Sequence, residues 1–387
     1  MADWLFHEEH DMFRETARRV VAQELAPHVE EWERDGFVPK DVFRRLGQGG
    51  YLGVRLPEEY GGLGGDALYE AVWIEELAKV GAGGIGAALS GHSTIGLTPL
   101  WRWGTPAQRQ RYLVPGVRGE LVAALAVTEA AGGSDVAALR TVAHPVAGGF
   151  RLQGSKLFVT NGVGADILVV AATVDPARRH RGISLFIVEK SWPGVKVLRR
   201  LDKLGWRSSD TAELFFDGVE VPAENLLGEV YGGFGYLMEI FLWERITMAL
   251  AAVALAQKAV DEAIGYARAR RQFGRPLNGF QVTRHGLVDL TADIEKARVL
   301  ARRALYVHWL GQDATVAAAM AKAYAGEMVR RVTDGALQVL GGNGYMMPYP
   351  LQRYWRDARI VSIGGGTTEV MREILVKRLG IAQWMGG

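Results

Sequence analysis

The sequence predicts an α+β multidomain fold with a helical N-terminal domain over residues 1–120, a middle antiparallel β-barrel or β-sandwich over residues 121–230, and a C-terminal helical bundle over residues 231–387. Three observations predict this order. Apolar residues recur at helical spacing in the first third, short apolar runs bounded by Gly, Asp and Pro follow, and long helical patterns return after Gly228. A chain of 387 residues is also too long for one ordinary core.

The first domain is predicted to contain helices separated by Gly-rich turns. Apolar side chains at helical spacing indicate a helix over residues 4–35, and shorter helices are expected over residues 41–49 and 69–79. Thr105 followed by Pro106 is typical of an N-cap and a first helical position. Another helix is therefore expected to begin there.

The middle of the chain has the pattern of strands. Runs such as LVAALAVTE, DILVVAATV, ISLFIVEK and TAELFFDGVEVP have the length and the Val and Phe content of strands. No helix of useful length separates them. Successive strands are therefore expected to be antiparallel, in a barrel or a sandwich, and not in a βαβ sheet.

Long helical patterns follow the strands. They cover about residues 234–271, 280–310, 313–340 and 368–379, with short turns between them. Long helices joined by short turns favour an antiparallel bundle. The expected order along the chain is therefore helices, a β insert and then helices again, without an internal repeat.

The composition excludes several classes of protein. The chain has no cysteine, which rules out disulfides, thiolate metal sites, Fe–S clusters and a cysteine nucleophile. The net charge is +2 without long blocks of like charge, so bulk binding of nucleic acid is not expected, and the basic run over residues 178–181 is interpreted as a solvated turn. No apolar stretch is long enough for a membrane span and no targeting pattern begins the chain, so a cytoplasmic enzyme is expected.

Two motifs match known sites without the context that those sites need. GAGGIG over residues 81–86 fits the Gly-rich dinucleotide-binding pattern, but a helical segment precedes it and the next acidic residue is Glu120. A flexible interhelical turn is favoured there. HEEH over residues 7–10 lacks the spacing of the zinc motif H-E-x-x-H and is interpreted as the solvated face of a helix. No metal site is predicted.

Four segments carry the functional signal. They are VTEAAGGSD over residues 127–135, FVTNG over residues 158–162, RRQFGRPL over residues 270–277, and QVLGGNGY over residues 338–345, which RDARI and GGGTTE follow. In this order and at this spacing they resemble the acyl-CoA dehydrogenase family, essentially from end to end. The resemblance implies a C-terminal four-helix bundle, bound FAD, an acyl-CoA substrate and a homotetramer.

The resemblance assigns the first two segments to the flavin. It implies that Val127, Thr128, Phe158 and Thr160 surround the isoalloxazine ring, with Phe158 where the family usually has Trp. Hydroxyl groups at strand ends suit the edge of such a ring. Ser134 is similar to the family residue near the flavin and the acyl-pantetheine chain. Ordinary turn capping is the alternative for Thr128, Ser134 and Thr160.

The last two segments are implied to reach FAD across a subunit boundary. Arg suits a phosphate, Phe suits stacking on adenine, and glycines leave the backbone open to a pyrophosphate. By resemblance, the residues that contact the FAD of a neighbouring subunit are Arg270, Phe273, Gln281, Gln338, Gly341 and Gly342. Thr367 and Glu369 are implied to lie near the nucleotide of their own subunit's FAD. A helix C-cap with a left-handed glycine is the alternative for the glycine pair.

The catalytic base is predicted to be Glu244. Much of the family has a Glu just before the Gly-Thr of the last segment, but this chain has Gly365 there. A subgroup that resembles isovaleryl-CoA and long-chain acyl-CoA dehydrogenases carries its Glu on the long helix instead, and Glu244-Arg245 stands at the matching place. Helical spacing puts Glu244 on an apolar face, where desolvation raises the pKa of a carboxyl group and strengthens the base. A Glu held in an ion pair with another helix is the alternative.

Two further residues bear on substrate binding. Arg245 is expected to contact the substrate together with Ser134. Leu242 stands where some relatives carry an Asp that holds the pantetheine chain. That one CoA contact is therefore not carried over to this chain, and the acyl-chain specificity is not predicted.

The implied reaction is the FAD-dependent α,β-dehydrogenation of an acyl-CoA thioester. Hydrogen bonds from the flavin ribityl hydroxyl and the main-chain N–H of Gly365 hold the thioester carbonyl, Glu244 removes the α-proton, and the β-hydrogen leaves as hydride to the flavin. The product is a trans-2-enoyl-CoA, and the electrons pass to an electron-transferring flavoprotein. Two alternatives stay open: an oxygen-using flavoenzyme of the same superfamily, and a non-catalytic acyl-CoA-binding or assembly protein.

Overall fold

The computed structural model describes residues 4–381, and its first third is helical. Asp66 accepts hydrogen bonds from the backbone N–H groups of Leu68 and Tyr69, and Thr105 forms a capping box with Gln108, so side-chain caps fix two of the helix starts. The predicted helix start at Thr105 is confirmed. The α-helices of this part are α1 (Glu8–Val20), α2 (Val29–Asp35), α3 (Lys40–Gln48), α4 (Ala67–Ala78), α5 (Gly83–Ser90), α6 (Thr98–Trp103), α7 (Pro106–Gln108) and α8 (Val114–Val117).

The first predicted helix is interrupted. Between α1 and α2 the chain forms a π-helical turn over Val21–Leu25 and a 3-10 turn over Ala26–His28, which contains Pro27. Proline lacks a backbone N–H and cannot continue the hydrogen bonds of α1. The apolar periodicity persists through the break because the side chains on both sides of it remain buried in the same core.

The glycine-rich residues 81–86 contain a helix start, which corrects the prediction of a flexible turn. Gly81 has a φ of +77°, which favours glycine, and α5 begins at Gly83. The Gly83 N–H donates to the Asp357 carboxylate at 2.8 Å, so a distant side chain satisfies this helix start. Helix α4 precedes the segment where a dinucleotide-binding motif requires a strand.

The middle of the chain folds into one eight-stranded sheet. Its strands are β1 (Ala123–Ala126), β2 (Val142–Val146), β3 (Gly149–Thr160), β4 (Ile167–Thr173), β5 (Ile183–Glu189), β6 (Val195–Arg200), β7 (Thr211–Pro222) and β8 (Leu226–Leu227). The order is β6-β7-β3-β2-β4-β5-β8, with β1 paired to β4 beside this path. Most neighbours are antiparallel as predicted, but β1 and β2 both pair with β4 in parallel. The prediction that successive strands are antiparallel is wrong for β1 and β2, which run in the same direction. Strand β4 is parallel to β2 because β3 reverses the chain and the next loop reverses it again.

Helices return after the sheet and form a bundle. They are α9 (Gly233–Ala269), α10 (Gln281–Trp309), α11 (Thr315–Leu340), α12 (Leu351–Ala358) and α13 (Thr368–Arg378), with a short hairpin of β9 (Arg271–Gln272) and β10 (Arg275–Pro276) between α9 and α10. Alanines of the long helices fill much of the shared core. The predicted order of helices, β insert and helices is confirmed. Among residues 4–381, no helix is long and apolar enough to cross a membrane.

Helix α9 contacts all three parts of the fold. Near its start, Leu237 and Ile240 pack in a core that includes strand residues such as Val169. Farther along, the Trp243 indole N–H donates to Glu70 of α4 at 3.1 Å. From there onward its buried side chains belong to the core of the bundle. Glu244, the predicted base, follows Trp243 and therefore lies where the N-terminal helices, the sheet and the C-terminal bundle meet.

Candidate active site

Glu244 faces the glycine turn that precedes α13. A Cβ atom added at Gly365 would lie 3.5 Å from both Cδ and Oε1 of Glu244. The same Cβ atom would also lie 2.7 Å from the sulfur of Met248. Side chains at positions 244 and 365 would therefore project into one small volume, although they start from different elements.

The Glu244 carboxylate has no close partner. No hydrogen bond or ion pair reaches its oxygens from any residue between 4 and 381. The side chain keeps some accessible surface, yet it lies deep enough that desolvation dominates: burial raises the pKa of Glu244, and the charges of Arg245 and Lys322 partly oppose that rise. The alternative ion pair with another helix is therefore not formed, and the raised pKa suits a general base.

Two cationic side chains hold the backbone of the turn beside Glu244. Arg245 Nε donates to the Gly365 carbonyl at 3.3 Å, and Lys322 Nζ donates to the Gly366 carbonyl. Gly365 and Gly366 have φ values of +62° and +94°, which favour glycine. Arg245 is thus placed on the turn, and its contact with a substrate stays a prediction.

Lys322 is a site residue that sequence reasoning misses. It is fully buried on α11, on a face that it shares with Ala318, Ala325 and Gly326. Burial lowers its pKa to about 8, while the Glu244 carboxylate acts to raise it. A charged residue on a helix face made of small buried residues is costly to bury, and that is the signal that could have identified it.

The predicted flavin residues of the β domain lie together at two strand ends. Val127 and Thr128 follow β1, and Thr160 ends β3. The Leu157 N–H donates to the Thr128 carbonyl at 2.8 Å, so a hydrogen bond joins the two segments. The structure therefore brings the Val127–Thr128 segment beside the last residues of β3.

Phe158 is turned outward by an irregularity in β3. The pairing of β3 with β7 shifts register between Lys156 and Val159, and Phe158 has a φ of +59°. A positive φ is rare for a bulky residue and is found most often where ligands bind. The Phe158 side chain is 64% exposed. Phe158 thus exposes an apolar ring in a segment that is hydrogen-bonded to Thr128 and ends at Thr160, and the two threonines carry hydroxyl groups that suit a planar ligand.

A buried ion pair that the sequence analysis does not identify holds the Val127 segment. Lys156 Nζ donates to Glu129 Oε1 at 2.7 Å and to the Val127 carbonyl at 3.0 Å, and Lys156 is fully buried. Glu129 also accepts the N–H groups of Arg140 and Thr141. Burial acts to raise the pKa of Glu129, but Lys156 and these donors outweigh it and the pKa is lowered. A lysine at an inward position of a strand is the sequence signal for this pair.

Ser134 lies in the exposed loop after β1, next to the basic run over residues 178–181. Arg179 lies 3.6 Å from the Asp135 carboxylate, and the Arg178 guanidinium lies 4.5 Å from the centre of the Tyr231 ring. The basic run itself forms an exposed 3-10 turn, as the sequence predicts. The contacts of Ser134 with a flavin or a pantetheine chain stay predictions.

The second predicted FAD set lies on the surface of the bundle. Arg270 is the C-cap of α9, Gln281 begins α10, and Gln338 lies in the last turn of α11. Asn343 Nδ2 donates to the Tyr266 hydroxyl at 2.8 Å, which connects the segment after α11 to the end of α9. The structure thus places the third and fourth sequence segments side by side.

This second set is open to solvent. Phe273 is 93% exposed, and a Cβ atom at Gly341 or Gly342 would meet no atom of the chain within 4 Å. Gly341 has a φ of +56° and a ψ of −134°, so it differs from the left-handed cap that was the alternative. Within the described chain, no hydrogen bond, ion pair or ring contact links this set to Val127 or Phe158. The two predicted FAD sets are therefore not in direct contact within residues 4–381.

Thr367 and Glu369 lie at the start of α13. Thr367 Oγ1 accepts the Val370 N–H at 3.2 Å and caps the helix. Glu369 is exposed in the first turn, and hydrogen bonds from its own backbone N–H and from Thr367 lower its pKa. Both residues thus have a local role as helix-start residues, and their contact with a nucleotide stays a prediction.

Sequence comparison matches almost the whole chain to described domains and proteins. Three acyl-CoA dehydrogenase domain families match in order: the N-terminal domain over residues 7–120, the middle domain over residues 124–219 and the C-terminal domain over residues 231–380. The mitochondrial long-chain specific acyl-CoA dehydrogenase of Rattus norvegicus is 36% identical over 377 residues, which are 97% of this chain and 87% of that protein. The mitochondrial isovaleryl-CoA dehydrogenase of Solanum tuberosum is 36% identical over 383 residues, covering 97% and 91%.

Solved structures have the same fold. The butyryl-CoA dehydrogenase from Megasphaera elsdenii superposes with a TM-score of 0.93 at 38% identity, covering 97% of this chain and 99% of that one. PigA, solved with FAD and proline, gives a TM-score of 0.94 at 26% identity, covering 98% and 99%. The predicted fold class, with helical, β and helical parts in that order, is confirmed by these matches.

Proposed function

This chain belongs to the acyl-CoA dehydrogenase family and is an oxidoreductase, and we propose that it converts an acyl-CoA thioester to the trans-2-enoyl-CoA with Glu244 as the catalytic base. One observation carries the proposal. The Glu244 carboxylate faces Gly365, the position where much of the family has its Glu. The chain therefore keeps a carboxylate at that place although the motif residue is glycine.

The residues of the two predicted sets fit the family's cofactor, FAD. The exposed Phe158 ring and the Thr128 and Thr160 hydroxyls suit an isoalloxazine ring, and the open backbone at Gly341 and Gly342 suits a pyrophosphate. The FAD bound to the related PigA supports the same cofactor here. Bound FAD supplies the acceptor for the β-hydrogen of the substrate.

The chain's own residues prepare the substrate α-carbon. The main-chain N–H of Gly365 donates to the thioester carbonyl and stabilises the negative charge that develops there. The Glu244 carboxylate, which accepts no hydrogen bond from the described part of the chain and has a raised pKa, removes the α-proton. Arg245 holds the Gly365 carbonyl, so the N–H groups of the turn keep their direction.

The second FAD set supports a site shared between copies of the chain in a homotetramer. Phe273 and Tyr345 expose large aromatic side chains on this surface, and a groove of about 670 Å³ that includes Tyr266 and Leu340 adjoins it. We expect Gly341→Phe to lower FAD content and tetramer stability together, because the nucleotide would lie across the interface. Normal FAD affinity in a variant held as a monomer would contradict the shared site.

Anaerobic titration tests the proposed reaction. The purified protein is expected to be yellow, and straight or branched acyl-CoAs added without oxygen should bleach its flavin absorbance. Slow reoxidation by air, with fast reoxidation by an electron-transferring flavoprotein, is expected for a dehydrogenase with that partner. Fast reoxidation by air would instead favour an oxygen-using flavoenzyme. A flavin that no acyl-CoA bleaches would contradict the proposal and leave a binding function.

A further inference from the structure

The glycine turn beside Glu244 needs external support. Gly364, Gly365 and Gly366 are consecutive, and the last two adopt positive φ values. Glycine passes between backbone conformations more easily than any other residue, so this segment does not hold one shape by itself. Its position nevertheless decides how closely the backbone approaches the Glu244 carboxylate.

Helix α11 supplies that support at two points. Lys322 Nζ donates to the Gly366 carbonyl, and the Ser362 hydroxyl donates to the Gly326 carbonyl of α11 at 3.0 Å. Lys322 and Gly326 are four residues apart and therefore lie on one face of the helix. The chain is thus held to α11 just before the glycines, at Ser362, and at the last of them, Gly366.

Lys322 also acts on Glu244 through its charge. Three charged side chains act electrostatically on Glu244 or on Lys322 itself: Arg245 from α9, Lys322 from α11 and Glu369 from α13. Arg245 and Lys322 both favour the ionised form of Glu244, whereas Glu369 bears on Lys322 and favours its charged form. Because no hydrogen bond from the described residues reaches the carboxylate, the charges of Arg245 and Lys322 are what opposes the effect of burial on its pKa.

We propose that Lys322 is a positioning residue for Glu244, which holds the glycine turn against the carboxylate and supplies a positive charge that keeps the carboxylate ionised. The proposal rests on the proposed role of Glu244 as the base. It adds a residue from a third element, outside all four sequence segments, to the machinery of the reaction.

Two substitutions separate the two parts of this role. Lys322→Gln removes the charge but keeps a donor for the Gly366 carbonyl, and Lys322→Met removes both. In the FAD-loaded enzyme, we expect the acid limb of the pH profile of kcat/KM to move to higher pH in both variants. A shift of one pH unit lowers the rate on the acid side about tenfold, and the rate recovers at higher pH. Lys322→Met should in addition raise KM, because the turn loses its tether.

An exposed lysine provides the matched control. Lys377→Met on α13 removes one positive charge far from the turn and should leave the pH profile unchanged. A lysine that only supported folding would lower the amount of folded enzyme without moving the acid limb. An acid limb at the wild-type pH in Lys322→Gln would therefore overturn the charge role, and an unchanged KM in Lys322→Met would overturn the tether.

An infrared titration tests the same inference without substrate. The band of a protonated carboxyl group that is missing in Glu244→Gln belongs to Glu244, and the pH at which it disappears should rise in Lys322→Gln. If none of the acyl-CoAs bleached the flavin of the wild-type enzyme, the proposed function would be wrong. The infrared titration would still show whether Lys322 controls the pKa of Glu244. A band that disappears at the same pH in both proteins would contradict the inference.

Discussion

Two buried lysines each lie near a glutamate, and the pKa values of the two glutamates are shifted in opposite directions. In the β domain, Lys156 donates to Glu129 at 2.7 Å, and the pKa of Glu129 is lowered. In the bundle, Lys322 donates to the backbone of the turn instead, and the pKa of Glu244 is raised. The residue types are the same in both places, so composition alone does not explain the difference.

The difference lies in hydrogen bonds to the carboxylate. Burial lowers the pKa of both lysines to about 8, so the two cations are alike. Glu129 accepts bonds from Lys156 and from two backbone N–H groups, whereas no residue between 4 and 381 donates such a bond to the Glu244 carboxylate. A buried carboxylate with donors is held as a structural anion, and one without donors keeps the affinity for protons that a base needs.

Glu244→Gln provides the largest expected effect. The substitution keeps the shape of the side chain and removes only the basic oxygen, so flavin bleaching by acyl-CoA should slow by about 10²–10⁴-fold or more. FAD content and substrate binding should be unchanged. Stopped-flow absorbance under nitrogen measures the rate, and Glu262→Gln on the same helix is the control. Bleaching at the wild-type rate would make Glu244 a second structural acid and end the contrast with Glu129.

Lys156→Met tests the structural side of the contrast. Removing one partner of a buried ion pair costs about 3–5 kcal/mol of stability, because the other charge stays buried without compensation. The free energy of unfolding in urea should therefore fall by about that amount. Adding Glu129→Leu to Lys156→Met should recover much of the loss, since the buried charge is then absent. Lys322→Met should cost less, because Lys322 donates to the Gly366 carbonyl and not to Glu244, and equal costs would contradict this distinction.

Gly365→Glu in the Glu244→Gln background tests whether a carboxylate placed at position 365 can replace the one at position 244. The new side chain should restore part of the activity, but Met248 stands in its path and a positive φ disfavours a residue with a Cβ. Adding Met248→Ala should therefore increase the recovery, to about tenfold above Glu244→Gln, as expected of a partly aligned base. Gly365→Gln with the same two changes is the control and should restore nothing.

The pH dependence of stability should have opposite signs for the two glutamates. For Glu129 the folded pKa is lowered, so its contribution is present above the unfolded pKa and is lost as the pH falls through the folded pKa. For Glu244 the folded pKa is raised, so its contribution is present below the unfolded pKa and is lost as the pH rises through the folded pKa. Each pKa unit corresponds to about 1.4 kcal/mol.

Thermal unfolding of Glu244→Gln and Glu129→Gln, measured from acid to neutral pH, shows the direction in which each glutamate changes stability with pH. Glu244→Gln should be more stable than wild type near neutral pH and lose that advantage in acid. Glu129→Gln should be less stable near neutral pH and approach wild type in acid. Curves that shift in the same direction would show that the pKa values of the two carboxylates are not shifted in opposite directions.

Sequence patterns were sufficient for the fold class and for the residues that share a local motif. Period-2 and period-3.6 apolar patterns depend only on neighbouring residues, so the order of helices, strands and helices followed from them. The break at Pro27, the helix at Gly83 and the parallel pairing of β4 were not predicted. The last two depend on partners distant in sequence, such as the Asp357 carboxylate at the start of α5.

The sequence by itself determined which chemical groups are present: a glycine where the motif has a Glu, and a Glu on the long helix. Only the tertiary structure decided that these two positions face each other, that Glu129 is held by Lys156 while Glu244 is left without a donor, and that Lys322 holds the turn. The physical reason is that a carboxylate's protonation depends on burial and on donors brought from other elements. Those distances are set by packing between helices and strands, which local sequence patterns do not encode.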